Sequence, residues 1–415
     1  MKILFINISD IKGGSAKAAY RLGRDLEERY KTENLFLVRN KLTKDKNVLQ
    51  TRKSGFQAIF ERITNIFMNY LGLQYKWLPF SPKFILRKAR EFKPDVISLH
   101  NTIGGYFRTK DLIELSKIAP VVWTLHDMWA FTGNAAHTFG NEAWKVLESF
   151  PGEKVIFPWV GINSSAWLLK AKKKIYSESD FTVVTPSKWL EQLAKQSPVF
   201  SNKEIRQIFN GVDDRVFHPY SEDENEMLPE LDGKIKKIIF AGEVVKGSKW
   251  KGGKDLETIL KKLDAAFSQQ IYFITLGKKS GLGNELKLKN IKIIEPGYIT
   301  DETELAKIYS KCDLLIYPTR ADNLPTVLME ATLCGTPCLS FDIGGVKEII
   351  TDGINGFIFR LDEKDKLINK TLELINDESV LKSISKTARD HSLKFFKLSS
   401  MGDNYYHLFE SLCNR

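Results

Sequence analysis

The stretch from Asp313 to Phe341 constrains the fold more than any other part of this chain. Asp313-Leu314-Leu315-Ile316-Tyr317-Pro318 is an apolar run of strand length, and a polar loop follows it. Thr326 to Leu333 reads as a helix, and the turn Gly335-Thr336-Pro337 leads into a second apolar run, Cys338-Leu339-Ser340-Phe341. Strand, loop, helix, turn and strand in that order make a βαβ unit. In such a unit the loop after the first strand lies at the carboxyl edge of a parallel sheet, where ligands bind at a reversal of strand order. Asp322 falls in that loop, and Glu330 lies about two helical turns further along the same side of the chain. Both carboxylates are therefore expected at one crevice, although a solvated Asp and a Glu paired with a nearby lysine would fit the same spacing.

The same alternation recurs along the chain. Residues 3–8, 95–100, 121–126 and 181–187 are apolar runs separated by helical segments; the pattern restarts after the acidic run Ser221-Glu222-Asp223-Glu224-Asn225-Glu226 with runs at 237–242, 271–277 and 291–299. A length of 415 residues with 43% hydrophobic content supports two sizeable cores. The expected fold class is therefore α/β, with two doubly wound Rossmann-like domains facing a central cleft. The expected domains are residues 1–219, residues 220–390, and a closing segment 391–415 whose aromatic helix returns to the first domain.

The net charge of +11, from 62 Lys and Arg against 51 Asp and Glu, favours anionic partners: nucleotide phosphates, lipid headgroups or nucleic acid. Charge alone does not choose among them. The four cysteines, Cys312, Cys334, Cys338 and Cys413, form no C-x-x-C pair and accompany no clustered histidines, which argues for free thiols and against a zinc site. Met1-Lys2 runs directly into the strand-like Ile3-Leu4-Phe5-Ile6, too short for a secretory leader, and no apolar run reaches membrane-spanning length. The expectation is a cytoplasmic protein, or one peripheral on the inner face of the membrane.

Several segments carry candidate chemistry. After the first strand, Ser9-Asp10-Ile11-Lys12-Gly13-Gly14-Ser15 opens a helix; glycines let backbone approach a phosphate and the helix start offers free N–H groups, although an ordinary turn looks the same. In the second half, Lys246, Lys249, Lys251 and Lys254 are interleaved with Gly247, Gly252 and Gly253 ahead of a helix, a composition suited to a diphosphate. Two strands end in histidine, at His100 and His126, and a lone histidine is more often structural than functional. Lys170, Lys172, Lys173 and Lys174 read as a solvated helix face, and Ser187 as a helix cap. In the segment 52–92, Phe56, Ile59, Phe60, Ile63, Ile66, Phe67 and Tyr70 recur at helical spacing among basic residues, with Trp77 beyond them. That stripe either packs on the N-terminal sheet or lies on an anionic bilayer, and spacing does not decide between the two.

Asp322 to Pro337 resembles the acidic-x7-acidic signature of the family 4 retaining glycosyltransferases, whose fold is GT-B, with Asp322 where the family carries a longer Glu. Thr124-Leu125-His126-Asp127-Met128-Trp129, Lys251-Gly252 and Asn210-Gly211-Val212-Asp213 resemble further segments of the same family, so the likeness covers nearly the whole chain. The resemblance implies a metal-independent hexosyltransferase with no cofactor, using a UDP- or GDP-sugar donor and a glycan or lipid-linked glycan acceptor in bacterial surface polysaccharide synthesis, and no nucleic acid. It also implies roles: His126 positions the transferred sugar, Asp322 contacts its hydroxyls, and Glu330 holds the ribose. Lys251, Gly252, Gly13 and Gly14 face the diphosphate, Tyr298 and Ile299 the nucleobase, and Asn323 and Leu324 the donor. Glu243 stands where many members carry Arg, so Lys246, Lys249 or backbone N–H groups would have to complete the diphosphate site. A phosphorylase or epimerase on the same scaffold, and a non-catalytic nucleotide-responsive or membrane-binding module, are the alternatives.

Overall fold

The computed structural model describes residues 1–52, 55–148, 157–221, 235–242, 250–277 and 282–414. Glu243, Lys246, Lys249 and all but Ser221 of the acidic run lie outside the described residues. The chain divides into two compact units, Met1–Gly211 with Leu398–Arg415, and Val212–Lys397.

In the first unit the strands are β1 (Lys2–Ser9), β2 (Glu33–Asn40), β3 (Val48–Gln50), β4 (Val96–Leu99), β5 (Val121–Thr124), β6 (Thr182–Thr185) and β7 (Ile205–Gln207). They form one parallel sheet in the order β3-β2-β1-β4-β5-β6-β7. The order reverses between β1 and β4, so the chain leaves those two neighbours in opposite directions and opens a crevice at their carboxyl ends. The strands read as nearly continuous apolar runs because helices cover the sheet and bury both faces of each strand. Phe5 stacks on Phe36 with ring centroids 4.6 Å apart. The helix Leu398–Cys413 adds Met401, Tyr405, Leu408, Phe409 and Leu412 to the same core. Thr124 and Tyr405 share a hydroxyl hydrogen bond of 2.8 Å, and Tyr30 stacks on Tyr406 at 3.8 Å, so the end of the chain is an integral layer of this unit.

The second unit repeats the plan with β8 (Lys237–Ala241), β9 (Ile271–Leu276), β10 (Ile291–Gly297), β11 (Leu314–Tyr317), β12 (Cys338–Phe341) and β13 (Gly356–Phe359). Its parallel sheet runs β10-β9-β8-β11-β12-β13, reversing between β8 and β11. The unit predicted at 313–341 is thus β11, the helix Thr326–Leu333 and β12, beside the switch. Arg389 ties helix Glu378–Leu393 to this unit by donating to the carbonyls of Phe217 (2.9 Å) and Leu333 (2.7 Å).

The structure decides one reading that the sequence left open and corrects another. The helix Gly55–Tyr70 does not pack its apolar stripe on the sheet: its buried residues are Glu61 and Thr64, while Phe56, Ile59, Ile63, Ile66, Phe67 and Tyr70 face outward. Four hydrogen bonds fix that rotation. The Glu61 carboxylate accepts from Arg52 Nε (2.8 Å), the backbone N–H groups of Phe80 (2.9 Å) and Ser81 (2.7 Å), and the Ser81 hydroxyl (2.5 Å). Turning the helix over would bury the stripe but leave buried Arg52 and the N–H groups of Phe80 and Ser81 without their acceptor, and an unpaired buried charge costs more than the apolar surface would return. The correction is Lys172. Instead of sitting on a solvated face it is buried, donating to the carbonyls of Trp129, Thr132 and Gly133, with its ammonium 3.7 Å from the Trp129 ring centroid.

Candidate functional site

The first unit brings its two strand-end histidines into direct contact. His100 follows β4, and its backbone N–H donates to the Ile6 carbonyl of β1 at 2.9 Å, so it stands beside the switch. His126 lies just past β5. His100 Nδ1 and His126 Nε2 are 3.1 Å apart with stacked rings, and Ser98 Oγ is 3.0 Å from His100 Nε2. Only two proton arrangements satisfy this row: the Ser98 hydroxyl donates to His100, which donates to His126, or the whole direction is reversed. His100 is buried and His126 half-buried. Burial pushes His126 down to about 4; for His100, burial and then the neighbouring ring push it well below the usual histidine range. Both imidazoles are therefore neutral near pH 7, which suits hydrogen bonding to a hydroxyl rather than carrying charge.

Asp127 was not singled out from sequence. Burial raises its carboxyl to about 6, against the opposing pull of the Trp129 N–H, which donates to it at 2.8 Å, and of Lys172. Asp127 and Lys172 thus pin the segment 127–133 from both ends, and Asp127 joins His100 and His126 in framing a small recess closed by Asn101 and Trp129.

Gly13 precedes the helix Gly14–Tyr30 with φ 92°, a conformation that favours glycine. A Cβ there would meet nothing within 4 Å, so the glycine serves the turn and leaves open space above it. Gly14 is the first helical residue, and the first turn has neither a side-chain cap nor an acidic residue. Its amides keep the positive end of the helix dipole exposed at the edge of β1.

In the second unit, Lys251, Tyr317 and Asp322 form a closed triangle at the end of β11. Lys251 Nζ lies 2.5 Å from Asp322 Oδ2 and 2.8 Å from the Tyr317 hydroxyl, which donates to the same carboxylate oxygen at 2.9 Å. Burial works against the lysine's charge, yet the Asp322 carboxylate and the Tyr317 hydroxyl hold its ammonium above the usual lysine range. Lys251 is therefore a fixed cation. Gly252 delivers it: at φ 64° a Cβ would stand 1.8 Å from the Pro318 carbonyl, so only glycine lets the lysine loop lie against the end of β11. Arg320 is drawn aside by a two-point pairing with buried Asp255, which also binds Lys364.

The remaining assignments fall in three places. Asn323 and Leu324 are buried beside Asp322; the Asn323 N–H donates to Asp322 Oδ1 at 3.1 Å, and its carbonyl accepts from the Gly345 N–H at 2.8 Å. Glu330 is buried on the helix Thr326–Leu333, and after burial itself its charge helps raise the Tyr309 phenol. Tyr298 and Ile299 follow β10; Tyr298 is exposed and Ile299 half-buried. Tyr317 was missed from sequence because a tyrosine inside an apolar strand reads as core. Its position as the last residue of β11, next to the Asp322 loop, was the available signal.

Two family models match the chain: Glycosyltransferase Family 4 over residues 12–216 and Glycosyl transferases group 1 over residues 223–391. This chain belongs to the family 4, group 1 glycosyltransferases. Its fold is GT-B. The structure of sucrose-phosphate synthase from Thermosynechococcus elongatus is similar with a TM-score of 0.71 and 14% identity, over 99% of this chain and 98% of that one. Anabaena Alr3699/HepE, solved in complex with UDP-glucose, is similar with a TM-score of 0.67 and 18% identity, over 99% of this chain and 100% of that one. The putative colanic acid biosynthesis glycosyl transferase WcaC of Escherichia coli (strain K12) is 26% identical over 238 residues, 55% of this chain and 54% of that protein. The chain spans between 26% and 61% of the length of the first four curated relatives it matches. Among the described residues no three His, Cys, Asp or Glu side chains converge to hold a metal ion.

Proposed function

We propose that this glycosyltransferase is a retaining hexosyltransferase, moving a sugar from a UDP- or GDP-sugar to a hydroxyl of a glycan or lipid-linked glycan acceptor. The observation that carries this reading is the triangle of Lys251, Tyr317 and Asp322 at the strand-order switch of the second unit. A donor diphosphate offers Lys251 a stronger partner than one carboxylate. Once Lys251 turns to the phosphates, Asp322 is released to accept hydrogen bonds from sugar hydroxyls, with Tyr317 still holding it in place. The same exchange supplies what the departing diphosphate needs, a cation that stays protonated as charge develops.

His126, neutral and oriented through His100 and Ser98, hydrogen-bonds a hydroxyl of the transferred sugar. No residue is assigned as base: the acceptor hydroxyl's proton passes to the leaving phosphate as the bond from the anomeric carbon to the phosphate oxygen breaks and the new bond forms on the same face. Glu330 holds the ribose, the amides after Gly13 and Gly14 face the diphosphate, and Tyr298 and Ile299 border the base. The UDP-glucose complex of HepE supports a nucleotide-sugar donor, and the colanic acid biosynthesis named for WcaC supports an acceptor in surface polysaccharide synthesis. In this reading the reaction is cytoplasmic and metal-independent.

The test is ligand-induced stabilisation across UDP, GDP and their sugars, followed by donor turnover and assignment of the product anomer by NMR. Lys251→Ala is expected to abolish stabilisation by the nucleoside diphosphate. His126→Ala is expected to leave that stabilisation intact and lower turnover by roughly two to three orders of magnitude, the scale on which single positioned groups act. Unchanged stabilisation in Lys251→Ala, or an inverted anomer, would sink the reading.

A further inference from the structure

The outward face of the helix Gly55–Tyr70 is one part of a larger apolar surface in the first unit. Phe56 is 71% exposed, Ile63 60% and Phe67 56%, whereas Glu61 on the opposite side is fully buried. Two neighbouring segments extend the face. Phe60 packs its ring 6.1 Å from exposed Trp77 at one end. At the other, the Ile162 N–H donates to the Tyr70 carbonyl at 3.0 Å, and Trp159 lies 6.4 Å from the Tyr70 ring. Trp167 joins through Lys76, whose ammonium sits 4.7 Å over its ring.

The exposed charges along these segments are all of one sign. Between Gly55 and Arg90 the only acidic residue is the buried Glu61, and between Phe157 and Ser177 there is none. Arg62 is exposed on the helix itself, and Lys170 and Lys174 follow Trp167 along one side of its helix. Lys76 and Lys110 line a shared recess, and among the described residues no carboxylate lies within ion-pair distance of either.

We infer that this face seats the protein on an anionic lipid bilayer, with the Phe56–Tyr70 stripe among the acyl chains and Arg62, Lys76 and Lys110 at the headgroups. Tryptophan and tyrosine at the rim of an apolar patch, with cations just outside, match the layering of a membrane interface. A second copy of the chain fits less well, because a symmetric contact through this face would bring the same cations together with no carboxylate to offset them. Among the described residues no helix is long and apolar enough to cross a membrane, so the contact is interfacial. The buried Glu61 network gives the face its permanence: it holds the stripe outward whether or not lipid is present.

The experiment is flotation of the full chain with phosphatidylcholine vesicles and with mixed phosphatidylcholine–phosphatidylglycerol vesicles, beside sedimentation analysis without lipid. The parent is expected to float with the anionic vesicles. A combined Ile59→Ser, Ile63→Ser and Phe67→Ser variant is expected to lose at least about tenfold in partitioning while keeping its urea midpoint, since all three side chains are already in water. Lys76→Glu with Lys110→Glu is expected to remove the preference for anionic over neutral vesicles. Flotation of the triple variant equal to the parent would overturn the proposal. So would a parent that self-associates through the stripe and ignores vesicles. Should the triple variant lose its cooperative unfolding, the charge-reversed pair decides the matter by itself.

Discussion

Two helices of the first unit, Gly55–Tyr70 and Leu398–Cys413, are both 16 residues long and both amphipathic, yet they are mounted in opposite senses. The last helix buries Met401, Tyr405, Leu408 and Phe409 in the core. The earlier one buries Glu61 and Thr64 and turns its aromatic and aliphatic residues out. The difference teaches that periodicity defines the faces of a helix without saying which one goes in. Which face is buried depends on what waits underneath: an apolar sheet beside Tyr405, but an arginine and two backbone N–H groups that take Glu61 as their acceptor.

The sharpest way to break this comparison is to remove the anchor. Glu61→Ala leaves Arg52 buried without its partner and is expected to cost about 3–5 kcal/mol, the range for breaking a buried ion pair from one side. Urea denaturation measures it, and a loss below about 1 kcal/mol would show that the network does not hold the helix. For the other helix, Leu408→Ala should cost about 2–5 kcal/mol through lost burial and the cavity left behind.

Acid sharpens the contrast between a buried charge that has a partner and buried groups that stay neutral. The folded-state pKa of His126 lies at about 4, below the 6.5 of a free histidine. The unfolded chain therefore binds the proton first, and stability present above pH 6.5 falls away as the pH drops toward 4. At about 1.4 kcal/mol per pKa unit the loss is at most about 3.5 kcal/mol. Asp127, raised to about 6, acts in the opposite sense, its stability being present at low pH and lost as the pH rises through 6, so the slope is best read in Asp127→Asn. NMR of the labelled imidazole should show no His126 titration between pH 8 and pH 5. The smallest effect belongs to the outward stripe: Ile63→Ser is expected to change stability by no more than about 0.5 kcal/mol, as for an ordinary surface position, and a larger loss would mean that the face is already covered.

Much of the second unit's scaffold was legible in the chain. The run at 313–341 announced its strands and helix, because a parallel sheet buried on both faces needs short apolar runs separated by breakers. Gly252 and the Ser187 cap were readable too: one position tolerates no side chain, and the Ser187 hydroxyl accepts from the Leu190 N–H at 3.1 Å. What could not be read were pairings between groups far apart in sequence. Nothing local says that Lys251 would turn to Asp322 and Tyr317, that His100 and His126 would touch, or that Lys172 would leave its cluster to cap three carbonyls.

The sequence by itself determined that there would be two parallel α/β sheets with acidic, basic and histidine side chains at their carboxyl edges, since alternation and breaker placement are properties of neighbouring residues. Only the tertiary structure decided which of those side chains are charged, which are paired, and which face of the helix Gly55–Tyr70 meets the outside. Those outcomes depend on desolvation and on partners brought in by folding, as when Glu61 meets Ser81 and Arg52 meets the carbonyl of Gly105.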